Sequence, residues 1–415
     1  MKKTNLTLLL LYISLSAFTQ QHVVFARLDN TWSLIKLNEE KMFSKAFDHV
    51  YSPSFDYWSP SGNSSIVHLP SENIIRFKNP FLYGYMDLNG NIVFGPQFEN
   101  ASDFYNGFAI VSKKISMGYI NKFGKRITDD IFSEAYEFTD ELALVKYKSK
   151  YNYIDTNGNF ITENGFSNAC SFNNKYALAK FKSNWGIINQ KAEWVLIPKY
   201  KELRDIGFNK FTFLDKNRFG IININGDTLA NAVYEEIRTY SDSMVAVKKG
   251  GKWGFLNSEG RLIIDCRYDK IRDFSENRGL AFIKGNILLF DNKGNLLLTA
   301  SYSDIKPAKN GFLRIRKEEL WGFININGNV IIEPTYNGVE DFSEEFARVK
   351  MGEQVFFINT KGENQFDKIF DGAYDFKNGY ARIKIAGKWG ILNKIGEIII
   401  QPKYRNISDV ILISN

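Results

Sequence analysis

The chain has 415 residues, a formal net charge of +7, 44% hydrophobic and 24% charged residues, which excludes wholesale disorder. Two Cys and three His exclude a disulfide scaffold and a multi-Cys zinc site, and leave little room for histidine-based catalysis. A mild basic excess spread along the chain does not call for nucleic acid, whose readers concentrate Lys and Arg in a patch.

Residues 1–20 open with Lys2 and Lys3, continue with an apolar stretch from Leu6 to Phe18, and end in small and polar residues. That order predicts a secretory signal peptide, hence a protein exported to the periplasm, the cell surface or the medium. No run of about 18 apolar residues follows, so no transmembrane helix is predicted. Residues 21–51 read as a degenerate N-terminal capping repeat, with Trp32-Ser33 at the anchor described below and Phe47 fourteen residues after Ser33. Residues 52–77 hold Pro53, Pro60, Pro70, Gly62 and several Ser, and read as an inserted loop.

From residue 78 to 415 the chain is an array. Anchors recur every 34 residues, at 84, 118, 152, 186, 220, 254, 288, 322, 356 and 390, giving ten copies. Seven anchors are Gly, the exceptions being Asn152, Leu288 and Phe356. Asp or Asn stands three residues later in every copy, and Gly six later in all but one, where Ala192 replaces it. Fourteen after the anchor every copy has Phe or Tyr, a column that chance would supply roughly once in 10⁸. The structural anchors are clearest in four copies: Trp185, Gly186 and Tyr200; Trp253, Gly254 and Tyr268; Trp321, Gly322 and Tyr336; Trp389, Gly390 and Tyr404. These Trp lie 68 apart, so a two-repeat rhythm is superimposed on the period.

Within a copy, Val245–Lys248 and Lys252–Asn257 read as strands joined by a Gly-Gly turn. A tight turn at Asn257–Gly260 leads to a third strand, clearest at Asn329–Glu333. Asn-Gly pairs at 89–90, 157–158, 225–226 and 327–328 support the hairpins. Tyr336, Val339 and Phe342 stand three apart and predict a bend. The fold is therefore all-β: tandem 34-residue three-stranded antiparallel repeats, each too small to bury its own apolar face. Three strands and ten or eleven copies point to an open β-superhelix or solenoid, with a closed many-bladed β-propeller as the alternative. An open array needs capped ends, and the degenerate first copy and the tail Val410–Ile413 are the candidates. The anchor Gly is expected where another backbone or a Trp ring approaches too closely for a Cβ.

The Lys-Trp-Gly signature at 252–254 and 388–390, the Gly six after the anchor, and Leu196-Ile197-Pro198-Lys199-Tyr200 with its variant Ile400-Gln401-Pro402-Lys403-Tyr404 resemble the bacterial WG (KWG) repeat family over about residues 82–413. The resemblance implies a modular, often exported, β-rich protein with no shared catalytic residues to carry over.

Other chemistry is sparse. Asp-x-Asn-Gly at 87–90 and 155–158 offers one carboxylate where calcium needs six or more oxygens, so a plain turn is expected. The Trp and Tyr columns are expected to pack internally, leaving Tyr57, Trp58 and Trp194 as candidates for stacking on a sugar. Cys170 and Cys266 are expected to be unpaired, mostly buried thiols. His22, His49 and His68 precede the regular array. Asp341, Glu344 and Glu345 form a local acidic group, read as a solvated turn. No cofactor or metal is expected. The function expected is that of an exported, non-enzymatic scaffold binding a protein partner at the bacterial envelope. The alternatives are a glycan- or cell-wall-binding module and a hydrolase with its site on the repeat surface.

Overall fold

The computed structural model describes residues 21–27, 32–37, 49–51, 66–68, 72–79, 81–87 and 91–413. Residues 1–20, read above as a signal peptide, and Tyr57 and Trp58 lie outside them. Among the described residues every helix-or-strand element is a strand, and the strands form eleven sheets of three to five strands.

One sheet shows how a repeat folds. Glu236–Ser241 pairs with Met244–Lys249, which pairs with Lys252–Leu256, which pairs with Leu262–Tyr268, all antiparallel. The unit is therefore four-stranded where the sequence suggested three strands and a bend. The bend is the first strand of the next sheet. After Tyr268 the chain continues into Lys270–Ser275, where Arg272 pairs with Leu280 but Ser275 pairs with Arg278. That one-residue bulge brings Ile271 and Phe274, three apart, to the same buried side, where they join Tyr268 from the end of the preceding strand. Elsewhere this strand shrinks to two residues, as at Gly338–Val339, with Tyr336, Val339 and Phe342 buried in the same pattern.

The core lies between sheets. Met244, Trp253, Phe255, Ile264 and Tyr268 of one sheet pack with Ile271, Phe274, Ala281 and Phe290 of the next. Eight of the ten column aromatics are buried, with Tyr200 and Tyr302 half-buried. Each large side chain so buried contributes about 1.5–3 kcal/mol before entropy is counted. A single repeat thus owns only half of a core.

The array is closed, as the propeller alternative has it, and not an open superhelix. Gln21–Arg27 pairs with Trp32–Lys36 on one side and with Asn406–Ile407 and Ile411–Ile413 on the other. The Phe25 amide donates to Ser408 Oγ (2.9 Å), and the Ser408 amide donates to the Phe25 carbonyl (2.8 Å). The two segments expected to cap opposite ends instead complete one blade together, which removes both strand edges at once. The result is an eleven-bladed propeller. Residues 52–77 also contribute to the ring: Ile66–His68 and Ile74–Lys78 are strands of the Gly84 blade, and His49–Tyr51 lies parallel to the former.

The anchor Gly has a steric cause. A Cβ on Gly254 would strike the Ile264 carbonyl and come within 2.7 Å of the Cys266 nitrogen; Gly186, Gly322 and Gly390 meet the carbonyls of Leu196, Ile332 and Ile400 in the same way. The fourth strand bulges there, since Trp253 pairs with Tyr268 but Phe255 pairs with Ile264. In the copy with Leu288 the ladder runs without that break through Ile287–Ala300, Leu288–Thr299 and Leu289–Leu298. In the Asn152 and Phe356 copies the sheet stops at three strands, as it also does in the Gly118 copy, where the Gly is kept. Replacing Gly254 with Val is expected to cost about 3 kcal/mol, and replacing Leu288 with Val less than about 1.5 kcal/mol, both read from urea unfolding.

Candidate functional site

In each of the ten regular blades the turn between the first two strands has both central residues at positive φ, the type I′ geometry that matches strand twist. Glu72-Asn73, Asp140-Glu141 and Asp242-Ser243 occupy it as readily as Asn106-Gly107. The first turn residue then grips the following blade. Where it is acidic it accepts a backbone N–H: Gly107 to Glu72 (2.9 Å), Lys175 to Asp140 (2.7 Å), Asn277 to Asp242 (2.8 Å) and Gly379 to Glu344 (2.9 Å). Where it is Asn it donates to a carbonyl instead, Asn106 to Phe138 (2.9 Å) and Asn378 to Val410 (2.9 Å).

A second polar band joins the first strands of successive blades around the axis. Arg76–Asp103 (2.9 Å), Arg314–Asp341 (2.7 Å), Arg348–Asp375 (3.1 Å) and Arg382–Asp409 (2.6 Å) are ion pairs between one blade's second strand and the next blade's first. In the middle of the chain the cation moves to the first strand itself, as Arg238–Asp273 (3.1 Å) and Arg272–Asp304 (3.0 Å). Both arrangements deliver a guanidinium to the same inner-strand carbonyl: Arg314 donates to Val339 (2.9 Å) and Arg382 to Ile407 (3.2 Å), while Arg204 donates to Ile237. The sequence reading missed these residues, although Arg eight before an anchor and Asp nineteen after it recur in register.

A third link belongs to the first blades. Tyr85, Tyr119 and Tyr153 are buried, and each hydroxyl donates to an inner-strand carbonyl seventeen residues on: Ser102 (2.7 Å), Tyr136 (2.6 Å) and Cys170 (2.6 Å). Burial pushes all three phenols well above their ordinary range. The unfolded chain releases these protons near pH ~10 while the folded chain keeps them, so their stabilisation is complete below that pH and lost above it. Stability is expected to fall by about 1.4 kcal/mol per pH unit per hydroxyl above pH ~10, and Phe at all three positions should flatten that limb in alkaline urea titrations.

The inner rim changes character in the Gly118, Asn152 and Gly186 blades, where Ile110, Leu144 and Leu178 replace the second-strand Arg. Glu134 here accepts from Lys146 (2.7 Å), Tyr151 (2.8 Å) and Tyr136 (3.1 Å). Hydrogen bonds from Lys146 and then Tyr151 hold its carboxyl below the ordinary range. Cys170 is exposed on the same rim and Cys266 is half-buried; both are free. The expectation of mostly buried thiols thus fails for Cys170, because it sits on the inner strand with Ala169 rather than itself turned into the seam.

The anchors predicted from sequence lie in the seams. Trp185, Trp253, Trp321 and Trp389 pair across the sheet with Tyr200, Tyr268, Tyr336 and Tyr404. A cation covers each indole: Lys180 over Trp185 (5.6 Å), Arg238 over Trp253 (4.5 Å), Lys306 over Trp321 (5.5 Å) and Lys384 over Trp389 (5.6 Å). Trp194, suggested as a free stacking surface, is half-buried against Phe166 (5.8 Å). Asp155 caps its own turn, accepting from the amides of Asn157 (2.9 Å) and Asn159 (2.8 Å). Burial works against that carboxyl's charge, but the bonds from Asn159 and Asn157 prevail and hold it below the ordinary range. Asp341, Glu344 and Glu345 disperse to Arg314, the Gly379 amide and Lys394 (3.5 Å). His22 packs edge-on against Tyr380, while the side chains of His49 and His68 lie outside the described residues. Among the described residues no three His, Cys, Asp or Glu are grouped to hold a metal ion, and no helix is long and apolar enough to cross a membrane.

A family model described as a WG-containing repeat matches nine segments, 83–114, 117–151, 185–211, 219–253, 253–286, 289–321, 321–354, 356–389 and 389–410. No curated protein matches the chain. Among solved structures, a eukaryotic initiation factor is 11% identical, with 86% of this chain and 98% of that one covered at a TM-score of 0.40. Hsv2 of Kluyvelomyces marxianus is 11% identical, with coverage of 57% and 96% and a TM-score of 0.32. PorZ, a surface component of the type-IX secretion system of Porphyromonas gingivalis, is 9% identical, with coverage of 74% and 52% and a TM-score of 0.25. At these scores none bears on what this chain does.

Proposed function

This chain belongs to the WG-containing repeat family, and from that premise we propose that it is an exported, non-catalytic scaffold whose closed ring holds a rigid binding surface for a protein partner at the bacterial envelope. The observation that carries the reading is the division of labour among the residues. Those that recur, the Trp, Tyr, Gly, Arg–Asp and turn carboxylates, are engaged inside or between blades. Those that vary, such as Tyr136, Glu137 and Cys170, stand exposed on the inner rim where a partner can reach them. A repeated frame with a varied rim suits recognition, and its stability is independent of the partner.

The test is capture from envelope extracts by the mature ring with chemical cross-linking, comparing it with a Tyr136→Ala, Glu137→Ala rim variant of unchanged melting temperature. A specific protein retained by the first and reduced at least several-fold with the second supports the reading. Retention of glycans alone on an array would favour the carbohydrate-binding alternative, and turnover of an envelope polymer would favour a hydrolase. Export is tested separately: protein recovered from cells is expected outside the cytoplasm with its N-terminus near Gln21.

A further inference from the structure

Strands alternate in direction, so the turns between second and third strands of all blades emerge on one face of the ring, and the turns before and after them on the other. In the ten regular copies the five positions from six to two before the anchor hold nineteen Lys or Arg and four acids, Asp215, Glu318, Glu319 and Glu353. The turns between third and fourth strands, on the opposite face, hold seven basic and eight acidic residues three to seven after the anchor. The ring is thus positive on one face only.

Four consecutive blades, those of Gly84, Gly118, Asn152 and Gly186, combine this charge with the most exposed apolar tips. Their turns on this face hold eight Lys, among them Lys113, Lys114, Lys148 and Lys182, and no acid. The acids on the neighbouring connections are Glu99, Asp129, Asp130, Glu134, Glu163 and Glu202; Glu134 is held by Lys146 (2.7 Å) and Asp130 by Arg126 (2.5 Å), and the eight Lys outnumber them. The same turns lift apolar side chains into solvent: Phe81 is 73% exposed, Ile115 89% and Phe181 54%. These tips stand on three of the four blades, one on each, and do not make the continuous apolar centre of a protein interface. Every cation is Lys, a point charge on a flexible stem that suits a diffuse layer of phosphates better than a fixed bidentate contact.

We infer that this four-blade arc docks the ring onto a bilayer containing anionic phospholipid, its Lys lying among the headgroup phosphates and Phe81, Ile115 and Phe181 reaching the acyl boundary. The inference does not depend on the protein-partner reading, and docking leaves the opposite face free.

The mature protein is expected to sediment with vesicles of phosphatidylglycerol and phosphatidylcholine, less so as salt is raised, and not with phosphatidylcholine alone. Lys113→Glu, Lys114→Glu, Lys148→Glu and Lys182→Glu together should weaken that binding by roughly a hundredfold or more. Phe81→Ser, Ile115→Ser and Phe181→Ser together should weaken it about tenfold while leaving binding to soluble heparin unchanged. Lys191→Glu, Lys293→Glu and Lys361→Glu, on the opposite face, should leave it intact, with thermal melting confirming that each variant folds. Four results would each overturn the inference: no binding by folded protein, equal binding to neutral vesicles, equal loss from the opposite-face variant, or undiminished vesicle binding by the apolar-tip variant, which would mark a general polyanion site.

Discussion

A chain ending at Tyr404 is expected to lose the cooperative unfolding of the full ring. Truncation there removes Ile407 and Val410, which are 1% and 3% exposed, and uncovers Val24, Phe25 and Ala26, which are almost wholly buried in the closed blade. At about 1.5–3 kcal/mol for each large side chain the apolar loss alone approaches 6–10 kcal/mol. That is the order of the whole stability of an ordinary domain, about 5–15 kcal/mol. The lost backbone pairs from Gln21–Arg27 to Asn406–Ile407 and Ile411–Ile413 add an exposed strand edge, which invites association. Circular dichroism should therefore show a broad melt at lower temperature, and gel filtration should show larger species. A truncated chain that melts like the parent would mean that the chain ends do not hold the ring together.

Arg382→Ala is expected to destabilise the protein by about 3–5 kcal/mol. Arg382 is 4% exposed, lies 2.6 Å from Asp409, donates to the Ile407 carbonyl and stacks 3.6 Å from the centre of the Tyr374 ring. Burial lowers its pKa and Asp409 partly restores it, and an arginine so placed stays charged at neutral pH. Truncation would leave the Asp409 carboxylate and the Ile407 carbonyl facing an empty seam. Arg348 makes the equivalent pair with Asp375 at 3.1 Å, but with more of its side chain in solvent. Arg348→Ala should therefore cost only about 1 kcal/mol or less. Urea unfolding of the two variants measures the contrast, and equal effects would show that the closing seam is no more buried than the others.

Residue spacing made the period, the hairpins and the need for shared cores readable before any coordinates. Asn-Gly turns, the aromatic column and the Gly that recurs where the opposed backbone crowds Gly254 are local signals, and each has a local cause. The fourth strand was hidden because Tyr268 ends one strand and a bulge between Arg272 and Ser275 sets Ile271 and Phe274 three apart in the next, a combined spacing that imitates a bend. The type I′ turns were hidden because Glu72, Asp140 and Asp242 take the left-handed conformation usually signalled by Gly, held there by bonds to the next blade. Closure was the least visible feature. It rests on Phe25 and Ser408, 383 residues apart, and no short-range pattern distinguishes two ends that cap an open array from two that meet. The Arg–Asp rim pairs lie between, in register but obscured because the cation switches strands between Arg314 and Arg272.

Closure of the ring by its own ends is most directly tested by a disulfide between Arg27→Cys and Asn406→Cys, directly opposed residues of the closing blade, in a chain with Cys170 and Cys266 replaced by Ser. Mild oxidation of the folded protein should join the two thiols within one chain, as read by mass spectrometry of the non-reduced monomer. Thiols that stay free in the folded state, or that bridge only between chains, would contradict the closed ring.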